Sequence, residues 1–299
     1  MFPIIPANTA TASFPENDEG IFGYGAIVGA YVSMTNLVSN AGVVATDVAG
    51  VGTIRGYIAA CEYGGDKGIF GYGDATGAPG GQRSMTNLVS NVGVVATDTT
   101  GVGTTRYDLA ACEYGEDKGI FGFGHPTTAI TNLVSNAGVV ATDTAGVGTA
   151  RSAVAACEYG GDKGIFGFGG GYTAATNLVS NVGVVATDTA GVGTPRKHQA
   201  ACGYGGDKGI FGFGYASAVN YSITNLVSNA GVVATDTAGV GTERAGPAAC
   251  EYGGDKGIFG YGSPFTAITN LVSNAGVVAS DQAATTGTAR AFLGACSFN

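Results

Sequence analysis

Apolar and polar residues alternate in short runs along the chain, and glycine, asparagine and aspartate separate the runs. One stretch shows the pattern, with runs at 59–63, 68–73, 86–90 and 94–97. Short runs bounded by turn residues predict β-strands, and no stretch carries the 3.6-residue apolar period of a helix. The sequence therefore predicts an all-β fold in which four short strands form one unit.

The second of these runs predicts how neighbouring sheets pack. In an extended strand Phe70 and Tyr72 point to one face, while Ile69, Gly71 and Gly73 lie on the other. The two glycines leave room for a neighbouring sheet to approach closely. We therefore expect the main core to lie between sheets and to be filled by aromatic rings.

The pattern is repeated six times. Each repeat carries the phrase Thr-Asn-Leu-Val-Ser-Asn-x-Gly-Val-Val-Ala-(Thr/Ser)-Asp, with its first Asn at 36, 87, 132, 177, 225 and 270. An arginine follows at 55, 106, 151, 196, 244 and 290. A period of roughly 40–50 residues with several short strands per repeat is typical of β-propeller blades.

The two ends of the chain complete each other. The segment 291–298 matches the first strand of a repeat but has no second strand after it, whereas 20–25 matches a second strand with no first strand before it. Pairing the C-terminal strand with the N-terminal strands would close a six-bladed propeller and remove its open edges. The predicted organisation is an N-terminal extension at 1–17 and one propeller at 18–299, with a composite blade (291–298 plus 18–48) and blades 56–99, 107–144, 152–189, 197–237 and 245–282.

The repeat also has a family resemblance. An arginine, a strand of small residues and an aromatic strand ending in a glycine doublet follow one another at 151–156 and 164–170. This arrangement resembles the repeat of Kelch-type propellers, and the near-identical units look like those of repeat propellers encoded by bacteriophage and bacterial genomes. The resemblance implies a six-bladed propeller with a binding role, as a component of a phage virion or surface appendage.

Composition and charge exclude several partners. Lys and Arg number 13 against 22 Asp and Glu, so the net charge is −9. An acidic chain without a basic patch is not expected to bind nucleic acid. No run of 18 apolar residues is present, so membrane insertion is not expected either.

The cysteines and the N-terminus bear on where the protein is made. The first six residues contain no Lys or Arg and two prolines, so no signal peptide is expected. One cysteine follows each repeat arginine by six residues, and equivalent positions of successive repeats are too far apart for disulfides. Six buried free thiols in a protein synthesised in a reducing cytoplasm are therefore predicted.

Sequence differences among the repeats fall in two places. One follows the second strand, at 26–34, 74–85, 125–130, 170–175, 215–223 and 263–268; the other follows the arginine, at 56–58, 107–109, 152–154, 197–199, 245–247 and 291–293. Both places lie at the same end of a four-stranded meander. The opposite end repeats Asp-Lys almost unchanged.

The variable end is the predicted recognition surface, because it is rich in Tyr, Asn, Gly and Ser. A protein or glycan partner fits this chemistry, and drift of unconstrained loops is the competing interpretation. The alternative function is structural self-assembly through the uniform end. The predicted partner-binding residues are Tyr31, Tyr57, Arg83, Tyr107, Asp108, His125, Tyr172, Lys197, His198, Tyr215, Asn220, Tyr221 and Phe265.

Catalytic and metal chemistry are not predicted. The two histidines, His125 and His198, lie in different repeats without further ligands at a metal spacing. The single aspartate that ends each repeat phrase is too little for a calcium loop and predicts an Asx turn. The repeat arginines are expected to brace adjacent blades, and Glu62 with its equivalents is expected in a central channel as a structural feature. We therefore expect a non-enzymatic protein without cofactor.

Overall fold

The computed structural model describes residues 18–283 and 287–299, so the predicted extension at 1–17 lies outside the described residues. All regular elements in the described part are strands. In chain order they are β1 Glu19–Gly23, β2 Ala26–Ile27, β3 Ala30–Tyr31, β4 Thr35–Val38, β5 Ala59–Tyr63, β6 Lys67–Gly71, β7 Thr86–Val89, β8 Ala110–Tyr114, β9 Lys118–Gly122, β10 Thr131–Val134, β11 Ala155–Tyr159, β12 Lys163–Gly167, β13 Thr176–Val179, β14 Ala200–Tyr204, β15 Lys208–Gly212, β16 Tyr215–Ala216, β17 Val219–Asn220, β18 Thr224–Val227, β19 Ala248–Tyr252, β20 Lys256–Gly262, β21 Thr266–Val272 and β22 Gly294–Phe298.

The strands form six three-stranded antiparallel sheets, so the predicted all-β class is confirmed. We number the sheets as units 1 to 6: β22-β1-β4, β5-β6-β7, β8-β9-β10, β11-β12-β13, β14-β15-β18 and β19-β20-β21. The small hairpins β2-β3 and β16-β17 add to units 1 and 5. The first strand of each unit contacts the first strand of the next, and β22 contacts both β5 and β19.

A fourth strand in each unit was predicted at 94–97 and its equivalents, and this prediction is wrong. In unit 2 the segment 94–99 pairs with β7 at two isolated positions, Val89 with Val95 and Thr86 with Thr99, and not along a continuous ladder. Between these two pairs the chain advances three residues on β7 but four on the following segment. The extra residue interrupts the ladder, as in a β-bulge.

A buried asparagine takes the place of the missing ladder bonds. The Asn87 Nδ2 atom donates to the backbone oxygen of Ala96 at 3.0 Å and to Asp98 Oδ1 at 2.9 Å. The same two bonds recur in every unit. The repeated asparagine therefore fixes the bulged segment against the third strand.

The predicted pairing of the chain ends is confirmed. Strand β22 lies antiparallel to β1, with Glu19 opposite Phe298 and Gly23 opposite Gly294. Deletion of β22 would leave β1 paired only with β4 and with one edge open.

Aromatic rings fill the spaces between units, as expected. Phe70 of unit 2 packs on Gly23 of unit 1, and Phe121 of unit 3 packs on Gly71 of unit 2. The contact recurs through all six units, ending with Phe22 of unit 1 on Gly260 of unit 6. A side chain at these glycines would collide with the ring of the next unit.

The expectation that Phe70 and Tyr72 share a face is wrong. Tyr72 packs on Phe121 of unit 3 at 5.1 Å between ring centroids, whereas Phe70 packs on Tyr24 of unit 1 at 5.2 Å. Tyr72 has a φ of 63°, which breaks the alternation of an extended strand. Each second strand therefore sends one ring to each neighbouring unit.

The turns that contain Asp-Lys link the units at one end, which we call the hairpin end (turns 64–66 and 39–43 with their equivalents). Gly64 N donates to the oxygen of Asp117 in the next unit at 2.8 Å, and the bond recurs from unit to unit. Gly253 N donates to the oxygen of Asp18, and Asn299 N to that of Asp66. The six bonds form a closed cycle.

Candidate functional site

A second cycle of backbone hydrogen bonds lies at the opposite end, which we call the variable end. Its members are one residue from each unit, all with left-handed φ between 53° and 58°: Tyr57, Asp108, Ala153, His198, Gly246 and Phe292. Each backbone N–H donates to the carbonyl of the preceding unit's member, at 2.7 to 3.1 Å. Left-handed backbone is costly for the five non-glycine members and depends on the surrounding structure to hold it.

The residues of this cycle line a partly open cavity of about 80 Å³. The Tyr57 ring stacks on Phe292 at 4.3 Å between centroids, and the His198 ring lies 5.3 Å from Phe292. His198 Nδ1 is 3.6 Å from Asp108 Oδ1. Two aromatic faces, an imidazole and a carboxyl group thus meet where the six units converge.

Burial in this cavity favours the uncharged forms of its carboxyl and imidazole groups. Burial raises the pKa of Asp108 to about 7, although Lys197 opposes the shift. Burial lowers the pKa of His198 to about 4, and the positive charge of Lys197 lowers it further. Between pH 4 and pH 7 Asp108 is mainly protonated and His198 mainly neutral. The pair can donate and accept hydrogen bonds but forms no ion pair in this range.

A row of aromatic rings extends from the cavity across units 1 to 3. The Tyr57 ring is 6.3 Å from Tyr31 and 5.8 Å from Tyr107, which lies 4.9 Å from His125. The Tyr31 hydroxyl donates to Asp74 Oδ2 at 3.2 Å. Burial and the Asp74 charge raise the pKa of Tyr31. Four predicted residues from three different repeats are therefore neighbours.

A second group joins units 4 and 5. The Lys197 Nζ atom lies 5.5 Å from the ring centroid of Tyr172 and 5.8 Å from that of Tyr215. The two rings are 6.5 Å apart. Tyr172 is 41% exposed.

Of the remaining predicted residues, Asn220 pairs with Tyr215 in the β16-β17 hairpin, and none makes a ring contact within these groups. Arg83 folds back onto the carbonyls of Gly80 and Gln82. Asn220 donates to the Ser263 carbonyl of the next unit at 3.3 Å. Tyr221 is half-buried, and Phe265 is exposed.

Sequence reasoning missed Phe292, Gln199 and Asp74. Phe292 occupies the cycle position equivalent to Tyr57 and His198, so an alignment of the six repeats would have found it. Gln199 lines the cavity, and its Oε1 atom is buried without a hydrogen-bond partner among the described residues. Asp74 is buried and pairs with Tyr31.

The repeat arginines brace adjacent units, as predicted. Arg106 is buried, with its guanidinium carbon 4.3 Å from the Tyr72 ring centroid of unit 2. It donates to Asn132 Oδ1 at 2.6 Å and to the Phe123 carbonyl at 2.9 Å, both in unit 3.

The repeat aspartates do not form the predicted Asx turns. Asp143 accepts hydrogen bonds from the backbone N and the hydroxyl of Thr104, which enters from the preceding unit. Its carboxylate also lies 3.9 Å from Arg106 Nη1. Hydrogen bonds from Thr104 and Asn132 and the Arg106 charge lower the pKa of Asp143 against the effect of burial. Sequence spacing could not show this contact between repeats.

Four glutamates converge in a channel at the first strands. Glu62, Glu113, Glu158 and Glu251 line a cavity of about 50 Å³ together with the cysteines, which are all buried. Burial and the neighbouring carboxylates raise the pKa of Glu113 well above its usual range and that of Glu158 to about 8. Gly203 makes room for Glu251, whose Oε1 atom would collide with a side chain there.

No group of three His, Cys, Asp or Glu side chains within 18–283 and 287–299 is arranged to hold a metal ion. None of the described elements is an apolar helix of membrane-spanning length. No model of a known protein family matches the chain. No curated protein matches it either.

Proposed function

We propose that the six units are the blades of one six-bladed β-propeller formed by residues 18–299. The two closed cycles of hydrogen bonds, one at each end, support this arrangement. The first strand of each unit contacts the first strand of the next, and aromatic rings pack between neighbouring units. Both observations support the arrangement as well. The third strand and the segment bridged to it would form the outer part of each blade.

We further propose that the propeller is a non-enzymatic recognition module that binds a glycan or protein at its variable end. One observation carries the proposal: chemically different side chains of several units adjoin at this end, while the hairpin end repeats the same residues. Aromatic rings such as Tyr57 and Tyr172 offer contact area at a low cost in conformational entropy. The resemblance to phage and bacterial repeat propellers favours a virion or surface appendage as its context.

Point substitutions at the variable end test the proposal. Tyr107→Ser and Tyr172→Ser are expected to weaken binding of a partner found by a glycan-array and protein screen, without lowering the melting temperature. Lys118→Ser at the hairpin end is the matched control and should leave binding unchanged. Binding that is unchanged by both tyrosine substitutions, or that responds only to the control variant, would contradict the proposal.

A second candidate function, self-assembly through the hairpin end, is favoured by a specific observation. The turn after each third strand exposes a valine, at 61% to 65% of its surface: Val43, Val94, Val139, Val184, Val232 and Val277. Repeated exposed apolar residues are typical of an interaction surface.

The assembly candidate predicts association that depends on these valines. Native protein should form larger species at high concentration in sedimentation, and replacing the six valines by threonine should leave a monomer. A native protein that stays monomeric at every concentration would exclude this candidate.

A further inference from the structure

One lysine differs from the other five. Lys67, Lys118, Lys163, Lys208 and Lys256 each form an ion pair with the aspartate that precedes them. Lys197 has no Asp or Glu oxygen within 4 Å of its Nζ atom in the part of the chain that the structure describes. In a chain of net charge −9, the half-buried Lys197 therefore lacks, among the described residues, the ion pair that each of the other five lysines makes.

The surroundings hold Lys197 in place. Its backbone exchanges two hydrogen bonds with Tyr215, at 2.8 and 3.0 Å. Its side chain reaches towards both the Tyr215 and the Tyr172 rings, which belong to different units and are inclined at 43°. The ammonium group and two aromatic rings therefore form one patch across units 4 and 5.

The exposed ring of this patch is placed by unusual backbone. Tyr172 has a φ of 52°, and it follows Gly171 with a φ of 83°. Left-handed backbone is uncommon for a bulky residue, and such strain concentrates at binding sites. The loop thus holds a half-exposed ring beside a lysine rather than burying it.

We propose that Lys197, Tyr172 and Tyr215 bind a carboxylate-bearing sugar. This inference rests on the proposed recognition function and specifies its ligand. The ammonium group would donate a charge-assisted hydrogen bond to the carboxylate. The apolar C–H face of a pyranose ring would pack on the exposed tyrosine ring.

A sugar fits this patch better than an acidic peptide. A peptide gains most of its affinity on a sheet by adding a strand to an open edge. Here the backbone N–H and C=O groups of Tyr215 are both bonded to Lys197, so the backbone at this ring cannot pair with an added strand on that side.

The test is a titration of the full chain by NMR or calorimetry with two acidic sugars and their neutral counterparts. Sialyllactose is compared with lactose, and glucuronic acid with glucose, so that the two sources of the carboxylate are distinguished. We expect at least one acidic sugar to bind about tenfold or more tightly than its counterpart, because hydrogen bonds to charged groups are the strong ones.

Variants test whether the preference for the acidic sugar arises at this patch. Lys197→Gln should abolish the preference for the acidic sugar, and Tyr172→Ser should weaken binding of it about tenfold. Lys163→Gln, at the hairpin end, should change neither. Equal binding of acidic and neutral sugars, an acidic preference that survives Lys197→Gln, or no binding of either acidic sugar would overturn the inference. Binding of a neutral glycan or a protein at the variable end would then still support the proposed function.

Discussion

At the scale of single residues, the repeated Arg-Asn-Asp set explains why polar side chains occupy the spaces between units. Arg106 and Asn132 are fully buried, and each supplies hydrogen bonds that the other needs. Removing Asn132 takes away one of the bonds that compensate the buried Arg106 charge, which costs more than losing a surface contact.

This set predicts a large difference between two asparagines of unit 3. Asn132→Ala removes bonds to Arg106, Asp143 and the Ala141 carbonyl, and should lower the free energy of unfolding by about 2–4 kcal/mol. Asn136→Ala removes one exposed bond to Asp117 and should cost less than about 1 kcal/mol. Thermal unfolding measures both, and equal losses would contradict the account.

The glutamate channel predicts that stability falls as pH rises. The pKa of Glu158 increases from 4.5 to about 8 on folding, so the folded state binds more protons than the unfolded state between these values. The protonated Glu158 side chain contributes its full stabilising effect in acid. That contribution is lost as pH rises from about 5 to about 8. This window lies above the lowered pKa of the repeat aspartates such as Asp98.

Glu158→Gln removes this loss. The variant should melt a few degrees higher than the native protein at pH 8, and at nearly the same temperature at pH 5. Glu243→Gln, at an exposed site, controls for the change in net charge. A difference that is the same at both pH values would contradict the assigned cause.

At the scale of elements, close contacts between units depend on glycines in the second strands. A methyl group at Gly257 would lie 2.6 Å from the Cys202 sulfur of the preceding unit. Gly257→Ala should therefore destabilise the protein by about 1–3 kcal/mol.

A double substitution tests that contact. Cys202→Ala frees space for the new methyl group, so the pair should cost less than the sum of the single changes by about 0.5 kcal/mol or more. Additive losses in thermal unfolding would show that the sulfur is not the obstacle.

Sequence alone predicted the strands in which apolar and polar residues simply alternate. It could not predict the features that depend on side-chain hydrogen bonds or on left-handed backbone. The first three strands and the terminal pairing followed from repetition. The fourth strand was wrong because Asn87 takes over bonds that a ladder would make. The face of Tyr72 was wrong because its left-handed φ has no signal in the pattern of apolar residues. Phe292 lies within the variable segment 291–293, at the position equivalent to Tyr57 and His198, so its signal is in the repeat alignment.

At the scale of the whole molecule, the account depends on β22 joining the chain ends. Deletion of residues 291–299 should unfold the protein or drive it to oligomers, because it exposes the edge of β1. A monomer with an unchanged melting temperature would show that the ends close differently.

A circular permutant keeps β22 but places it at the N-terminal end of the chain. It therefore tests whether β22 is needed as a strand or only as the C-terminal end. The permutant runs from Gly287 to Asn299, through one inserted glycine to Asp18, and ends at Ala283. Asn299 Nδ2 lies 2.9 Å from Asp18 Oδ1, so a short link spans the gap. It should be a monomer that melts within a few degrees of the native protein, and failure to fold would contradict the terminal pairing.

The most direct measurement compares partner binding by the native chain and by a variant with a uniform end. In the variant, all twelve variable segments carry the sequences of unit 6 at 245–247 and 263–268. A screen against a glycan array and protein partners should find binding by the native chain alone. Equal binding by both proteins, or no binding by either while both assemble into larger particles, would contradict a recognition function at the variable end.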